Sequence, residues 1–443
     1  MKCKTGGLLM VLFFIVAQLS AQTPDVITLS SAINMSILNS KNLKIKTAQI
    51  KSSTAAVTEA KQKRLPNTSV SGSYLRLSNA NIDLKTKSNN SNPGQQSEMP
   101  KVSQAMYGTL NISLPIYTGG KINFGIISSQ LLEKAARLDL ENEKEEIIST
   151  TIEAYANLFK ASRAVEIVNE NLLQSKQREK EFADLEKNGL LARNDLLKAK
   201  LQTSTIELSL LDAENNLQLA NLNMNLLLGL PNENKIILDS ISLSKTFNLL
   251  TEQEYVVQAI NSRNDIKANN LRKNAADVNV KSIKAEMLPN LSLTGGYIAA
   301  YVPKVLTVTN AVNIGLGVSY NFSSLWKTKA KVEQAESQSK QLSLTNSILQ
   351  DQITLEVSKN YFDFISAEKK TDVLQDAIEQ STENYRIVKN KYDNSLSTLS
   401  DLLEADVTNL QTKLNYVFAQ VDAFVAYNRL LQSSGILSKE FIK

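Results

Sequence analysis

The sequence predicts a mainly α-helical chain with a membrane β-barrel portion, internally duplicated in the order helix, β-hairpin, long helix, helix. Three observations predict this. Glycine (15) and proline (8) are scarce in 443 residues, which favours long uninterrupted helices. The chain is written twice. Four segments alternate apolar and polar residues over the length a strand needs to cross a bilayer.

The repeat sets the domain plan. The run Leu65-Pro66-Asn67-Thr68-Ser69-Val70-Ser71-Gly72-Ser73-Tyr74 returns as Leu288-Pro289-Asn290-Leu291-Ser292-Leu293-Thr294-Gly295-Gly296-Tyr297. The same offset pairs Thr28 with Thr251 and Ile37 with Ile260. A second offset matches Asn188, Asp195, Leu196, Leu197 and Ala199 to Asn394, Asp401, Leu402, Leu403 and Ala405, and also Tyr155 to Tyr361 and Gly229 to Gly435. The register changes between Tyr74 and Leu110. Residues 22–230 form the first repeat, 231–250 a linker and 251–443 the second repeat.

Residues 1–21 read as a cleaved export signal. Lys2 and Lys4 precede an apolar core from Leu8 to Val16, and Leu19-Ser20-Ala21 forms a small-residue cleavage site. The other reading is an uncleaved anchor, for which the apolar run is short. Cys3, the one cysteine, precedes that run, so no lipoprotein cleavage box is present and the mature chain is expected to be unlipidated. In each repeat a helix of some 35 residues starts near Thr28 or Thr251 and stops at Leu-Pro-Asn, since proline cannot continue it. Thr251 with Glu254 has the form of a capping box.

Two strands follow in each copy, at about 67–77 and 107–118, then at about 290–301 and 311–322. In the last, Val312, Ile314, Leu316, Val318, Tyr320 and Phe322 alternate with Asn313, Gly315, Gly317, Ser319 and Asn321. A half-buried sheet in a soluble protein would alternate in the same way. The first hairpin has a long polar connection from Ser78 to Gln104, the second a short one from Val302 to Asn310. Long helices at 122–187 and 328–393 come next. Each would run ~100 Å at ~1.5 Å per residue. Ile148, Ile152, Tyr155, Phe159, Val165, Val168 and Leu172 give the narrow seam of coiled-coil packing. Breaks at Asn188-Gly189 and Asn394-Ser395 lead into return helices that close at Gly229 and Gly435.

Composition excludes much. With no histidine, a His-based triad, metal site or proton relay is impossible. A net charge of +5 with 21% charged residues indicates neither disorder nor a nucleic-acid surface. No phosphate loop, metal cluster or activated nucleophile appears, so neither enzyme activity nor a cofactor is expected. Four strands cannot close in lipid, where an open edge is not tolerated. Closed membrane barrels start at about eight strands, so several chains must associate, and three would leave a useful passage.

These features resemble the TolC-like outer-membrane efflux proteins over nearly the whole mature chain. The resemblance is carried by the duplicated element order and by three sets of residues. Leu114-Pro115-Ile116-Tyr117-Thr118-Gly119-Gly120 is similar to the family's strand-to-helix junction. Asn188 through Leu197, and Asn394 through Leu403, are similar to its periplasmic turns. The resemblance implies a homotrimeric α/β-barrel channel-tunnel, in contact with outer-membrane lipid and continued through the periplasm. It also implies a periplasmic adaptor and an inner-membrane transporter as partners, in a tripartite efflux or type I secretion system. The alternative is a periplasmic coiled-coil structural or adaptor protein.

The resemblance further implies an iris-like closure at the helix tips, with Tyr392, Asp401 and Glu404 at the gate positions. Ser397 stands where the family has an arginine, which makes Arg193 of the other copy a further gate candidate, and Asp195, at the equivalent turn of that copy, is another. Asp195 could equally cap its helix, and Asp401 and Glu404 could be ordinary solvated surface. Gly189, Leu190, Leu191, Ser395 and Leu396 are the candidate docking tip. Tyr74, Tyr107, Tyr117, Tyr297, Tyr301, Tyr320 and Trp326 are candidates for aromatic belts, with core packing as the alternative.

Overall fold

A computed structural model describes residues 26–80, 102–239, 249–303 and 305–441. The expected signal and most of the first hairpin connection lie outside them. In chain order the elements are β1 (Val26–Ile27), α1 (Leu29–Asn39), α2 (Lys41–Gln62), β2 (Asn67–Ala80), β3 (Val102–Tyr117), α3 (Lys121–Lys187), α4 (Arg193–Leu228) and β4 (Ile237–Leu238). There follow α5 (Glu252–Ser262), α6 (Asn264–Lys284), β5 (Asn290–Val302), β6 (Leu306–Ser319), α7 (Ser324–Asp393), α8 (Leu399–Ser433) and α9 (Leu437–Phe441). No helix among the described residues is long and apolar enough to cross a membrane.

The chain divides into two compact units. The first is drawn from Met1–Lys46, Asp139–Asp265 and Leu349–Lys443. Its core is built on the coiled-coil seam of α3. Ile148 and Ile152 pack with Ile33, Phe424 and Leu431, while Tyr155 packs with Ile27, Met224 and Leu228. Val168 and Leu172 close on Ile206. Phe159 and Val165 are only half-buried, and Leu158 takes the buried place beside Tyr155. The Tyr155 hydroxyl donates to the carbonyls of Ile27 (2.9 Å) and Asp239 (3.1 Å). It thereby fixes the parallel pair of β1 and β4, which joins the start of the first repeat to the linker. Burial, reinforced by the nearby Asp239 charge, pushes the Tyr155 pKa up to about 12.

The helix expected to open each repeat is two helices. The break falls at Ser40 and at Arg263, single extended residues at equivalent positions. Ser40 Oγ accepts from Leu43 N at 3.2 Å and so restarts the helix as a cap. Arg263 donates to Glu356, to the Ser433 carbonyl and to Asp265, which anchors the second break. The capping box of Thr251 and Glu254 is present.

The second unit, Thr47–Leu138 and Ile266–Ile348, holds the sheet, with antiparallel order β2-β3-β5-β6. Four strand boundaries differ from the sequence reading by three residues or more. β2 runs on to Ala80 rather than 77. β3 starts at Val102 rather than 107. β6 starts at Leu306 rather than 311 and ends at Ser319, so Tyr320 and Phe322 leave the strand and stack edge-to-face at 4.8 Å. At the first junction Gly119 takes φ 62°. A Cβ there would meet Ala285 O and Leu288 Cβ at 2.9 Å. The second junction has no glycine pair; Asn321 instead accepts from Ser323 N at 3.1 Å, forming a side-chain turn.

Candidate helical tip and barrel wall

Both tip turns of the first unit use one hydrogen-bond pattern. At the end of α3, Leu190 N donates to Leu185 O (2.8 Å) and Gly189 N to Glu186 O (2.9 Å). At the end of α7, Leu396 N donates to Lys391 O (2.7 Å) and Ser395 N to Tyr392 O (2.9 Å). This is the Schellman closure, which needs a left-handed residue. Gly189 supplies it at φ 74°, Ser395 at φ 63°. Serine carries a Cβ into that conformation, which costs roughly 1–2 kcal/mol. Leu190 and Leu396 follow the left-handed residues and stand 74% and 76% exposed. Leu191 turns inward instead, onto the cluster of Phe182, Leu196, Ala199, Leu399 and Leu402.

The two return helices begin differently. Thr398 and Asp401 form a reciprocal capping box at the start of α8. Asp401 Oδ2 accepts from Thr398 N and from Ser397 Oγ, each at 2.9 Å. Those bonds, the Thr398 backbone first, hold the Asp401 carboxyl below its usual pKa. The serine in the arginine's place thus binds the acidic gate candidate within its own chain. At α4, Ala192 makes no side-chain cap, and Asp195 in the first turn lies 3.4 Å from Lys198 Nζ. Lys198 also reaches Ser400 at 3.4 Å. Arg193 is exposed and lies 3.7 Å from Glu186, not beside Asp401. Tyr392 is half-buried, with its ring 5.9 Å from that of Phe182. Burial, then the charges of Asp195 and Asp393, raise its pKa. Glu404 is exposed.

Sequence reasoning missed the ion pair behind this tip. Arg178 Nη1 lies 2.9 Å from Asp406 Oδ2, with their side chains 11% and 3% exposed. Arg178 also donates to the Tyr385 hydroxyl at 3.1 Å, and Asn171 to Asp406 at 3.2 Å. Burial, the largest single influence, would lower the Arg178 pKa, but the charge and hydrogen bond of Asp406 together with those of Tyr385 outweigh it and raise the value. The pair ties α3 to α7 and α8. A signal was available: in the second offset Asp406 aligns with Lys200 and Arg178 with Asn384, so neither has a like-charged counterpart.

In the second unit the ladder registers sort the sheet into two faces. On one, Val70 pairs with Leu110, Leu110 with Tyr297 and Tyr297 with Val312. Ile112, Leu114, Leu293, Ile314, Leu316 and Val318 share this face, and Ile314 is 81% exposed. The opposite face carries Ser69, Asn111, Gly296 and Asn313 in one row and Ser113, Thr294 and Gly315 in the next. Ser71 and Thr109 hydrogen-bond there at 2.7 Å. Gly296 is obligatory in that row, since a Cβ would meet Leu110 O at 2.7 Å and Asn313 Oδ1 at 2.9 Å.

The aromatic candidates divide between the faces. Tyr74 and Tyr301 flank Met106 at the loop end of the Ile314 face, Tyr297 lies within it, and Tyr117 pairs with Leu291 at the helix end. Tyr107, expected to belong with them, points to the Asn111 face, opposite Ser73 and Ala300. Tyr320 and Trp326 lie beyond β6, and Trp326 is exposed. Among the described residues no group of three or more acidic or thiol side chains could hold a metal ion.

The outer membrane efflux protein family matches the chain over residues 32–230 and 255–436. The toxin and drug export protein A of Aggregatibacter actinomycetemcomitans is 23% identical, over 74% of this chain and 72% of its own length. The outer membrane efflux protein BepC of Brucella suis is 21% identical, over 77% and 75%. Among solved structures, the outer-membrane channel OprN matches with a TM-score of 0.77 at 18% identity, covering 92% of this chain and 89% of that one. The outer membrane protein VceC of Vibrio cholerae matches with a TM-score of 0.73 at 19% identity, covering 92% and 96%. Matched over most of its length, the chain belongs to the outer membrane efflux protein family, and its fold is that of outer-membrane channels.

Proposed function

We propose that the protein is a passive exit duct, a homotrimer whose strands close a barrel in the outer membrane and whose long helices continue the passage through the periplasm. The observation that carries this reading is the sheet itself. Its Ile314 face is apolar and exposed, its Asn111 face is largely polar, and among the described residues the outer edges of β2 and β6 pair with no strand. Such edges are not tolerated in hydrocarbon, so β6 of one protomer must meet β2 of the next until the ring closes. Three chains then give the twelve-strand ring. Tyr74, Tyr301 and Tyr117 would flank the lipid band at its two borders.

The helical tip would receive an energised inner-membrane transporter through a periplasmic adaptor. Leu190 and Leu396 are apolar, exposed and have no core of their own to serve, which suits a docking contact. Tyr392, Asp401 and Glu404, with Asp195 and Arg193 of the other repeat, would line the closing point. Residues 1–21 would be removed on export, and Cys3 with them. The name of one relative, the toxin and drug export protein A, favours a drug or a toxin as cargo.

The test is assembly and conductance. The chain purified in detergent is expected to sediment as three copies and to form pores in planar lipid bilayers. A stable monomer that remains soluble without detergent and forms no pores would overturn the proposal.

A further inference from the structure

The Asn111 face changes character toward the hairpin end. Near the helices its rows are polar or glycine: Asn67, Ser113, Thr294 and Gly315, then Ser69, Asn111, Gly296 and Asn313. Farther along, Ser73, Tyr107, Ala300 and Val308 form a row, and beyond it Leu75 pairs with Ala105 and Val302 with Leu306. The described rows of this face hold no charged side chain. The switch is made by an irregularity in β6. Ile298 pairs with Ala311 but Ala300 pairs with Val308, so Ala299 faces both Thr309 and Asn310. Asn310 takes φ 60° to allow this. An unbroken register would have put Thr309 and Thr307 on this face and sent Val308 and Leu306 to the other. One inserted residue re-aims every side chain after it. In β6 the Ile314 face turns polar from Asn310 to Thr307, and one row past Tyr74 and Met106 it carries Arg76 and Gln104. The Tyr107 row therefore lies level with the tyrosine border and the Leu75 and Val302 rows beyond it, where an apolar inward face serves no contact with lipid.

We propose that Leu75, Tyr107, Val302, Leu306 and Val308 form an apolar collar inside the outer mouth, a second selectivity barrier that retards ions and charged solutes while passing apolar and amphipathic ones. The inference rests on the trimeric barrel proposed above, in which the Asn111 face lines the passage and each protomer repeats every row. Water in an apolar constriction has few hydrogen-bond partners, and an ion entering it must shed hydration without replacement. An apolar solute loses nothing there. The collar discriminates by solvation as well as by width.

The expected mature chain lacks cysteine, so a single thiol reports cleanly. Thr109→Cys would lie just below the collar on the same face. Intact cells expressing the full chain are treated with a charged, membrane-impermeant maleimide and with a neutral maleimide of similar size. The charged reagent is expected to label Thr109→Cys slowly relative to the neutral one. Adding Tyr107→Ser, Leu306→Ser and Val308→Ser should raise the charged rate about ten-fold and leave the neutral rate nearly unchanged. The nearly isosteric Val308→Thr alone should move the charged rate in the same direction, and it decides the matter if the triple variant fails to assemble. Charged labelling that is unchanged in these backgrounds overturns the collar. Val312→Cys, on the Ile314 face, separates the two proposals: rapid charged labelling there would overturn the barrel reading on which the collar depends.

Discussion

Replacing Asp406 with alanine strands Arg178, which cannot shed its proton to escape. The cost follows from the surroundings. Breaking a buried ion pair from one side costs about 3–5 kcal/mol. Arg178 retains the Tyr385 hydroxyl at 3.1 Å and is 11% exposed, so some water reaches it and the lower end, about 3 kcal/mol, applies. Replacing both partners with apolar residues of similar volume, Arg178→Met with Asp406→Leu, removes charge and counter-charge together and should cost far less. Local hydrogen exchange in α3 and α8 measures the opening of this region directly. Asp406→Ala should speed exchange of the amides around 171–182 and 399–410 by about 10²-fold, and the double variant by less than about ten-fold. A double variant as damaging as the single one would show that packing volume, not the pair, holds the helices. A single variant without effect would show that water already screens it.

Gly119→Ala places a Cβ 2.9 Å from a backbone oxygen at a positive φ, so the purified protein should lose about 2–4 kcal/mol of stability around the junction, read by thermal melting. Ser395→Gly relieves a left-handed serine and should slow hydrogen exchange at the second turn by the equivalent of about 1 kcal/mol, whereas Gly189→Ala should do the reverse at the first. The Asp401 carboxyl is held below its usual pKa by Thr398 and Ser397, so its cap is fully present above the unfolded carboxylate range. Protection of the first turn of α8 should therefore fall only as acid passes below about pH 4, and Ser397→Ala should move that loss to higher pH. In bilayers, carboxylates brought together at the tip should make the proposed pore prefer cations, and Glu404→Gln should reduce that preference more than Asp401→Asn, because the Asp401 oxygen is already engaged by two donors; the reverse order would refute the assignment of Glu404 as the carboxylate that sets it.

Element order, junctions and turns were legible because they rest on local chemistry. Leu-Pro-Asn stops a helix, Thr251 with Glu254 starts one, and Gly189 closes one, whatever the rest of the chain does. The breaks at Ser40 and Arg263 were not legible. Neither is proline or glycine, and Arg263 is held by Glu356 and Ser433, far along the chain. The β6 irregularity was hidden for a related reason. Alternation can be read from Val312 to Val318, but nothing in Leu306 to Asn310 announces that two residues oppose one. That one residue decides whether threonines or Leu306 and Val308 share the Asn111 face. A mistake of one position there exchanges the two faces.

The tip shows the same division between local and tertiary information. Thr398 followed three residues later by Asp401 has the pattern of a capping box, yet the resemblance gives Asp401 a place in a closing ring. Both descriptions draw on one carboxylate, and its geometry limits what it can do. An oxygen that accepts from Thr398 N and Ser397 Oγ is fixed to the start of α8, so moving it toward a neighbouring protomer would expose the N-terminal amides that it satisfies. Glu404, one turn farther on and exposed, has no such duty at the helix end. Tyr392 rests against Phe182 of the first repeat, and the Arg178–Asp406 pair crosses between repeats just behind it. Moving α7 and α8 away from α3 within one chain therefore means separating an aromatic contact and a nearly dry ion pair together. The duplication supplies four similar helices, and the positions where the copies diverge, Asp406 against Lys200 and Ser395 against Gly189, are where those helices are tied and turned differently.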